Sequence, residues 1–220
     1  MNELSVAEEH YLKAVYLCRP DGGETTVKEL AARLSASQPS VSEMLKRLQN
    51  KGLVEYRPYH GVTLTAEGRL HALKVIRSQR LWEVFLVEKL RLSWDEVHEA
   101  TEELEHVRSQ KVIERLDEFL GFPRFDPHGD PIPDGTGRIG TRNARPLSGL
   151  SVGKAGKVAG VLLHTPAFLQ LLERFGLKIG VRVSVVERME FDSIIIVEIE
   201  SRTQTLSPSV SDHVLVWPEE

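Results

Sequence analysis

The sequence predicts an α+β chain: an N-terminal winged helix-turn-helix, a helical middle segment and a small C-terminal β-barrel. Three observations carry this. Capped helical segments precede two short strand-like runs, a second helical pattern follows without strands, and alternating valines appear only beyond a stretch dense in proline and glycine. The expected limits are 1–71 for the winged unit, 72–122 for the helical segment, 123–148 for a Pro/Gly-rich linker and 149–220 for the barrel.

In the first segment Leu12, Val15 and Tyr16 recur at helical spacing until Pro20-Asp21-Gly22-Gly23 stops the helix. Thr26 with Glu29 three residues on is a capping box, opening a helix with Val27, Leu30, Ala31 and Leu34 on its apolar face. Ser37 caps a third helix, Pro39 sits in its first turn, and Val41, Leu45 and Leu48 mark its buried side. The runs 53–57 and 62–65, joined through Pro58 to Gly61, make the hairpin. Farther on, Glu67 to about Leu90 is helical, and a helix from Ser93 is expected to continue to about Leu120. After the linker come Gly153 to Val161, a helix over Phe168 to Phe175, and alternation through Val181, Val183, Val185 and Ile194 to Ile199.

The 220 residues carry a formal charge of -4, which argues against a histone-like, non-specific binder of polyanions while allowing a local basic face. Cys18 is the only cysteine, so no intramolecular disulfide or thiolate zinc site forms; on a stripe with Ala14, Val15 and Leu17 it reads as core. No secretory signal and no apolar run of about 20 residues is present, so the expected location is the cytoplasm, with no membrane partner.

The third helix presents Ser37, Gln38, Pro39, Ser40, Ser42, Glu43, Lys46 and Arg47 on its non-apolar face, with Lys51 and Arg57 beside it. Small polar groups near a helix N-terminus can reach base edges, and the cations can neutralise phosphates. A lone solvated helix would also show such a face. The order of capped helix, short turn, third helix and basic hairpin favours double-stranded DNA.

On the helix expected from Ser93, His98, Glu102, Glu105 and His106 fall at i, i+4, i+7 and i+8, one stripe that becomes apolar at Val112, Ile113 and Leu116. Carboxylates at core-facing positions need cations, hydrogen bonds or a metal. A solvated acidic face that includes Glu99 and Glu103 is the simpler alternative. No His-Glu-x-x-His motif and no nucleophile motif is present, so an enzyme is not expected; a metal-dependent hydrolase and a regulator sensing a small organic ligand are the competing readings.

Ser40 to Leu48 with Gly52-Leu53-Val54 and Leu64-Thr65-x-x-Gly68, followed by Val97-His98 through Glu105-His106-Val107, resembles the diphtheria toxin repressor family of metal-dependent regulators. The C-terminal part, with Leu169 to Leu172, Gly176 and Gly180, looks like that family's SH3-like (FeoA-like) domain. The resemblance implies a homodimeric transcriptional repressor of metal homeostasis that binds a palindromic operator. It places a primary metal site at His10, Glu102, Glu105 and His106. Iron-type members carry methionine and cysteine at the positions of His10 and Glu102, so oxygen and imidazole donors point to Mn²⁺, with Fe²⁺ as the alternative. An ancillary site is implied at Gln79, Glu83, His98 and His164, with an amide at Gln79 where the family has an imidazole. Ser37, Pro39 and Arg47 match the family's DNA contacts, and Glu43 stands where glutamine is common.

Overall fold

The computed structural model describes residues 4–94 and 96–219, apart from the side chain of His98. The chain forms two compact units: Met1–Gln79 with Glu105–Arg108 and Pro133–Ile139, and Arg80–Leu104 with Ser109–Ile132 and Gly140–Glu220.

The first unit contains helices α1 (Val6–Cys18), α2 (Val27–Arg33) and α3 (Gln38–Asn50), then strands β1 (Val54–Arg57) and β2 (Gly61–Leu64), and the start of α4 (Ala66–Glu88). Side-chain caps set the helix starts. Ser5 with Glu8 and Thr26 with Glu29 form reciprocal capping boxes, and Ser37 Oγ accepts from the Ser40 amide at 3.3 Å. The strands pair antiparallel from Val54 opposite Leu64 to Arg57 opposite Gly61. Leu12, Val15, Leu30, Val41, Leu45, Leu48, Val62 and Ile76 form the core. Gly68 lies where a Cβ would come within 1.9 Å of the Leu53 carbonyl oxygen, so α4 can start against the segment joining α3 to β1 only without a side chain there.

The helix expected to run unbroken from Ser93 to Leu120 is instead two. Helix α5 (Val97–Leu104) ends, Glu105 and His106 form a turn, and α6 begins at Gln110 and runs to Phe119. The break has a tertiary cause: Glu105, His106 and Arg108 all bond to α1 and its entry, which outweighs the few backbone bonds a continuous helix would add. The argument that the four metal candidates share one helical stripe therefore fails.

The proline- and glycine-rich stretch is ordered by side chains that bond to the backbone. Asp126 Oδ1 accepts from the amides of His128 (2.8 Å) and Asp130 (2.9 Å), and Asp134 Oδ1 accepts from those of Thr136 (2.8 Å) and Arg138 (2.9 Å). Asp126, His128 and Ile132 are buried. Gly129, at φ +84°, lies where a Cβ would meet the Ala159 carbonyl at 2.1 Å, so the turn seats against the following sheet.

That sheet, in the second unit, has six strands in the order β3-β8-β4-β5-β6-β7: β3 (Arg145–Pro146), β4 (Ala155–Val161), β5 (Arg182–Arg188), β6 (Ile195–Ile199), β7 (Arg202–Leu206) and β8 (Val214–Pro218). Helices α7 (Pro166–Phe175) and α8 (Pro208–Ser211) accompany it. Every named pairing is antiparallel, and Val158, Val183, Val185, Ile195, Val197, Val214 and Val216 fill its interior with Leu169 and Leu172 of α7. Among the described residues no helix is long and apolar enough to cross a membrane.

Candidate metal centres and nucleic-acid face

The first centre joins α1 to the turn after α5. His10 Nε2 and His106 Nε2 are 2.7 Å apart, and each lies 3.3 Å from Glu105 Oε1. Donor atoms about 2.1 Å from a shared cation stand about 3 Å from one another, so this spacing suits one ion. The Glu105 side chain is 1% exposed, where a bare carboxylate would be costly. Its negative charge is met by Lys13, whose Nζ donates to both carboxylate oxygens at 2.7 and 2.6 Å and to Gln79 Oε1 at 3.2 Å.

Two further groups orient the centre. Glu9 Oε2 lies 2.5 Å from His106 Nδ1; a carboxylate there accepts the Nδ1 proton and leaves the Nε2 lone pair facing His10 and Glu105. Arg108 Nη2 donates to the Leu4 carbonyl at 3.1 Å, tying the turn to the entry of α1. Of the four residues expected for this centre, His10, Glu105 and His106 come together. Glu102 stands on α5 with an exposed side chain, in the second unit.

The second centre lies wholly in the second unit, where Glu83 of α4, Asp126 and His128 are buried with donor atoms within 4.8 Å of one another. Arg80 Nε is 3.4 Å from Asp126 Oδ2, and His128 Nδ1 is 3.8 Å from Glu83 Oε2. Burial, with Glu83 and Asp130 adding to it, raises the Asp126 carboxyl above the usual carboxylate range. Burial by itself would lower His128, but Glu83 and Asp126 outweigh it and raise the imidazole. A divalent cation would relieve the crowding of the carboxylates and take the place of the His128 proton, and imidazole with two carboxylates is a hard donor set that fits it.

This is not the expected ancillary set. Gln79 faces Lys13 of the first centre, and the His98 side chain lies outside the described residues. His164 is nearby, with its ring 5.1 Å from that of His128 and its Nε2 3.5 Å from Asp130 Oδ2. Asp126 and His128 escaped the sequence reading because they sit in the stretch taken for a linker. The available signal was Asp126-Pro127-His128-Gly129-Asp130, a turn that sets an acid and an imidazole two residues apart.

On α3, Ser37, Gln38, Pro39, Ser40, Glu43, Lys46 and Arg47 are exposed, as is Arg57 on β1. Ser42 departs from the expectation: it is half-buried and its Oγ accepts from Tyr56 Oη at 3.3 Å, so it braces α3 on β1. Lys51 is also half-buried, 2.7 Å from Glu8.

Comparison with known proteins places the chain in a family. Residues 3–62 match the pattern "Iron dependent repressor, N-terminal DNA binding domain", 65–134 match "Iron dependent repressor, metal binding and dimerisation domain", and 145–218 match the FeoA domain. The diphtheria toxin repressor of Corynebacterium glutamicum is 35% identical over 199 residues, 84% of this chain and 86% of that protein. The chain belongs to the diphtheria toxin repressor family. The iron-dependent repressor IdeR of Mycobacterium tuberculosis is 38% identical over 133 residues, 60% of this chain, and the match spans 58% of that protein. A manganese-dependent transcriptional repressor solved in complex with manganese superposes with a TM-score of 0.85 at 36% identity, covering 96% of this chain and 100% of that one. The manganese regulator SloR gives 0.75 at 32%, covering 96% and 98%.

Membership in this repressor family accounts for the three-part α+β layout. The family's DNA-binding pattern takes in His10 and all of α3, while its metal-binding pattern takes in Glu83, Glu105, His106, Asp126 and His128.

Proposed function

We propose that this chain is a cytoplasmic, metal-activated transcriptional repressor that binds a palindromic DNA operator as a homodimer, with Mn²⁺ as the preferred effector and Fe²⁺ as the alternative. The observation that carries the reading is the convergence of His10, Glu105 and His106 in the same compact unit as the helix-turn-helix. When bound, the cation supplies the positive charge that holds two imidazoles and a carboxylate together. His10 fixes α1, Glu105 and His106 fix the turn beside it, and Glu9 keeps the His106 tautomer that can bind. An effector that favours the DNA-competent arrangement must itself be bound more tightly in the presence of DNA. Glu102 enters the ligand set on family resemblance, and the domain limits 1–71, 72–122, 123–148 and 149–220 are proposed on the sequence pattern.

Hard oxygen and imidazole donors without sulfur support manganese over thiolate-seeking metals. Ser37, Gln38, Pro39, Ser40 and Glu43 are the groups proposed to meet the groove, and Lys46, Arg47 and Arg57 the phosphates, Lys51 being engaged by Glu8. Exposed apolar side chains at Leu90, Val112, Phe119 and Phe122, within or near the stretch matched as the dimerisation domain, offer surface for a second copy. Glu83, Asp126 and His128 are proposed as a second site for the same ion.

Metal stoichiometry tests the pair of centres. Wild type dialysed against Mn²⁺ is expected to retain two ions per chain, and His128→Ala one, with metal-activated operator binding reduced but present. Two ions retained by His128→Ala would remove the second centre from the account.

A further inference from the structure

Glu43 is the only acidic residue of α3. At about 100° per residue, the fully buried Val41, Leu45 and Leu48 span roughly 60° of the helix circumference, and Glu43 falls close to the opposite direction. It is therefore the side chain turned farthest from the core, with exposed Ser40 one turn before it and exposed Arg47 one turn after. Other polar side chains of this segment are engaged within the protein: Ser37 caps the helix, Ser42 meets Tyr56 Oη, and Gln49 Nε2 donates to the Tyr56 carbonyl. Among the described residues Glu43 has neither a hydrogen bond nor an ion pair, and Arg47, the i+4 cation that could pair with it, lies 3.2 Å from Glu8 instead.

An ionised carboxylate has only acceptor oxygens, so in that place it is unfavourable against most DNA. Phosphates are anionic, and guanine N7 and O6, adenine N7 and thymine O4 are themselves acceptors on the major-groove edge. Two exocyclic amines can satisfy it, cytosine N4 and adenine N6. Adenine N6 stands beside the N7 lone pair, which repels a second acceptor, whereas cytosine N4 stands beside C5–H. We propose that Glu43 is a specificity residue that accepts a hydrogen bond from the N4 amine of one cytosine in each half-site. The proposal rests on the DNA-binding reading above and adds to it the base that this side chain selects. Glu43 discriminates by repulsion as well as by attraction: its charge weakens binding to every duplex, and the loss is recovered only where a cytosine meets it.

The test compares duplexes selected from random sequence by wild type and by Glu43→Gln at saturating Mn²⁺. Wild type is expected to select an invariant cytosine in each half-site. Glu43→Gln is expected to lose that preference, because an amide both accepts and donates. In the duplex selected by wild type, replacing the cytosine by uracil opposite adenine exchanges the amine for a carbonyl. That exchange is expected to weaken wild-type binding about five- to hundredfold per half-site, and binding by Glu43→Gln by less than about threefold. Glu43→Gln is also expected to bind a random-sequence duplex more tightly than wild type does, since a negative charge has left the DNA-facing surface. Selection of the same sequence by both proteins, or an equal loss on uracil in both, overturns the proposal and leaves the DNA-binding reading standing. Selection of no sequence by wild type overturns the DNA-binding reading and the proposal together.

Discussion

His106→Ala is expected to abolish metal-dependent operator binding. The imidazole is tied on both sides, Nδ1 to Glu9 and Nε2 to His10, so its loss removes one donor and frees the other from its orienting partner. For wild type, the affinity with Mn²⁺ over that with chelator should lie in the 5- to 150-fold range of common allosteric couplings, and for the mutant it should fall to about one. Gel filtration and circular dichroism of the mutant are expected to match wild type, because its fold rests on the two apolar cores. Glu102→Ala, measured beside it, decides whether the exposed carboxylate of α5 joins the ligands. Wild-type Mn²⁺ dependence in Glu102→Ala leaves the set at His10, Glu105 and His106; in His106→Ala it contradicts the first centre altogether.

Lys13→Met is expected to move two quantities in opposite directions. In the metal-free protein Lys13 is the cation on the buried Glu105 carboxylate, and removing one partner of a buried pair costs about 3 kcal/mol or more. Metal-free Lys13→Met should therefore melt well below wild type. A divalent ion, by contrast, no longer shares the carboxylate with a fixed ammonium, so Mn²⁺ affinity should rise by at least about tenfold, since two unit charges about 4 Å apart at an effective dielectric near 20 interact by about 4 kcal/mol. Melting curves with Mn²⁺ and with chelator, together with a calorimetric titration, measure both. A mutant that binds Mn²⁺ more weakly, with an unchanged metal-free melting temperature, would show that Lys13 supports the ligands instead of competing for them.

How much of this was readable in advance depended on whether the signal was local. Helix starts were legible because a Thr-x-x-Glu or Ser-x-Pro pattern satisfies its own backbone groups, whatever lies elsewhere. The winged order and the alternating strands β5 and β6 belong to the same class, whereas His10 entered only through the family resemblance and had no local pattern of its own. Contacts between distant segments were not legible. The break after Leu104 is set by bonds from Glu105, His106 and Arg108 to residues near 4–13, about a hundred positions away, and helical periodicity carries no trace of them. Lys13 and Glu9 lacked any pattern of their own and gained roles only when that turn arrived beside them. Asp126 and His128 were hidden differently: proline and glycine density marks where regular elements stop, but Asx-type bonds can still build a rigid, buried loop there.

The central claim is that a divalent ion at these residues controls DNA binding, and the most direct measurement is the affinity of wild-type protein for its selected duplex across Mn²⁺, Fe²⁺, Zn²⁺ and chelator, performed anaerobically at fixed salt. The account predicts at least fivefold tighter binding with Mn²⁺ or Fe²⁺ than with chelator, reversed when chelator is added back. Equal affinity in Mn²⁺ and in chelator would contradict it.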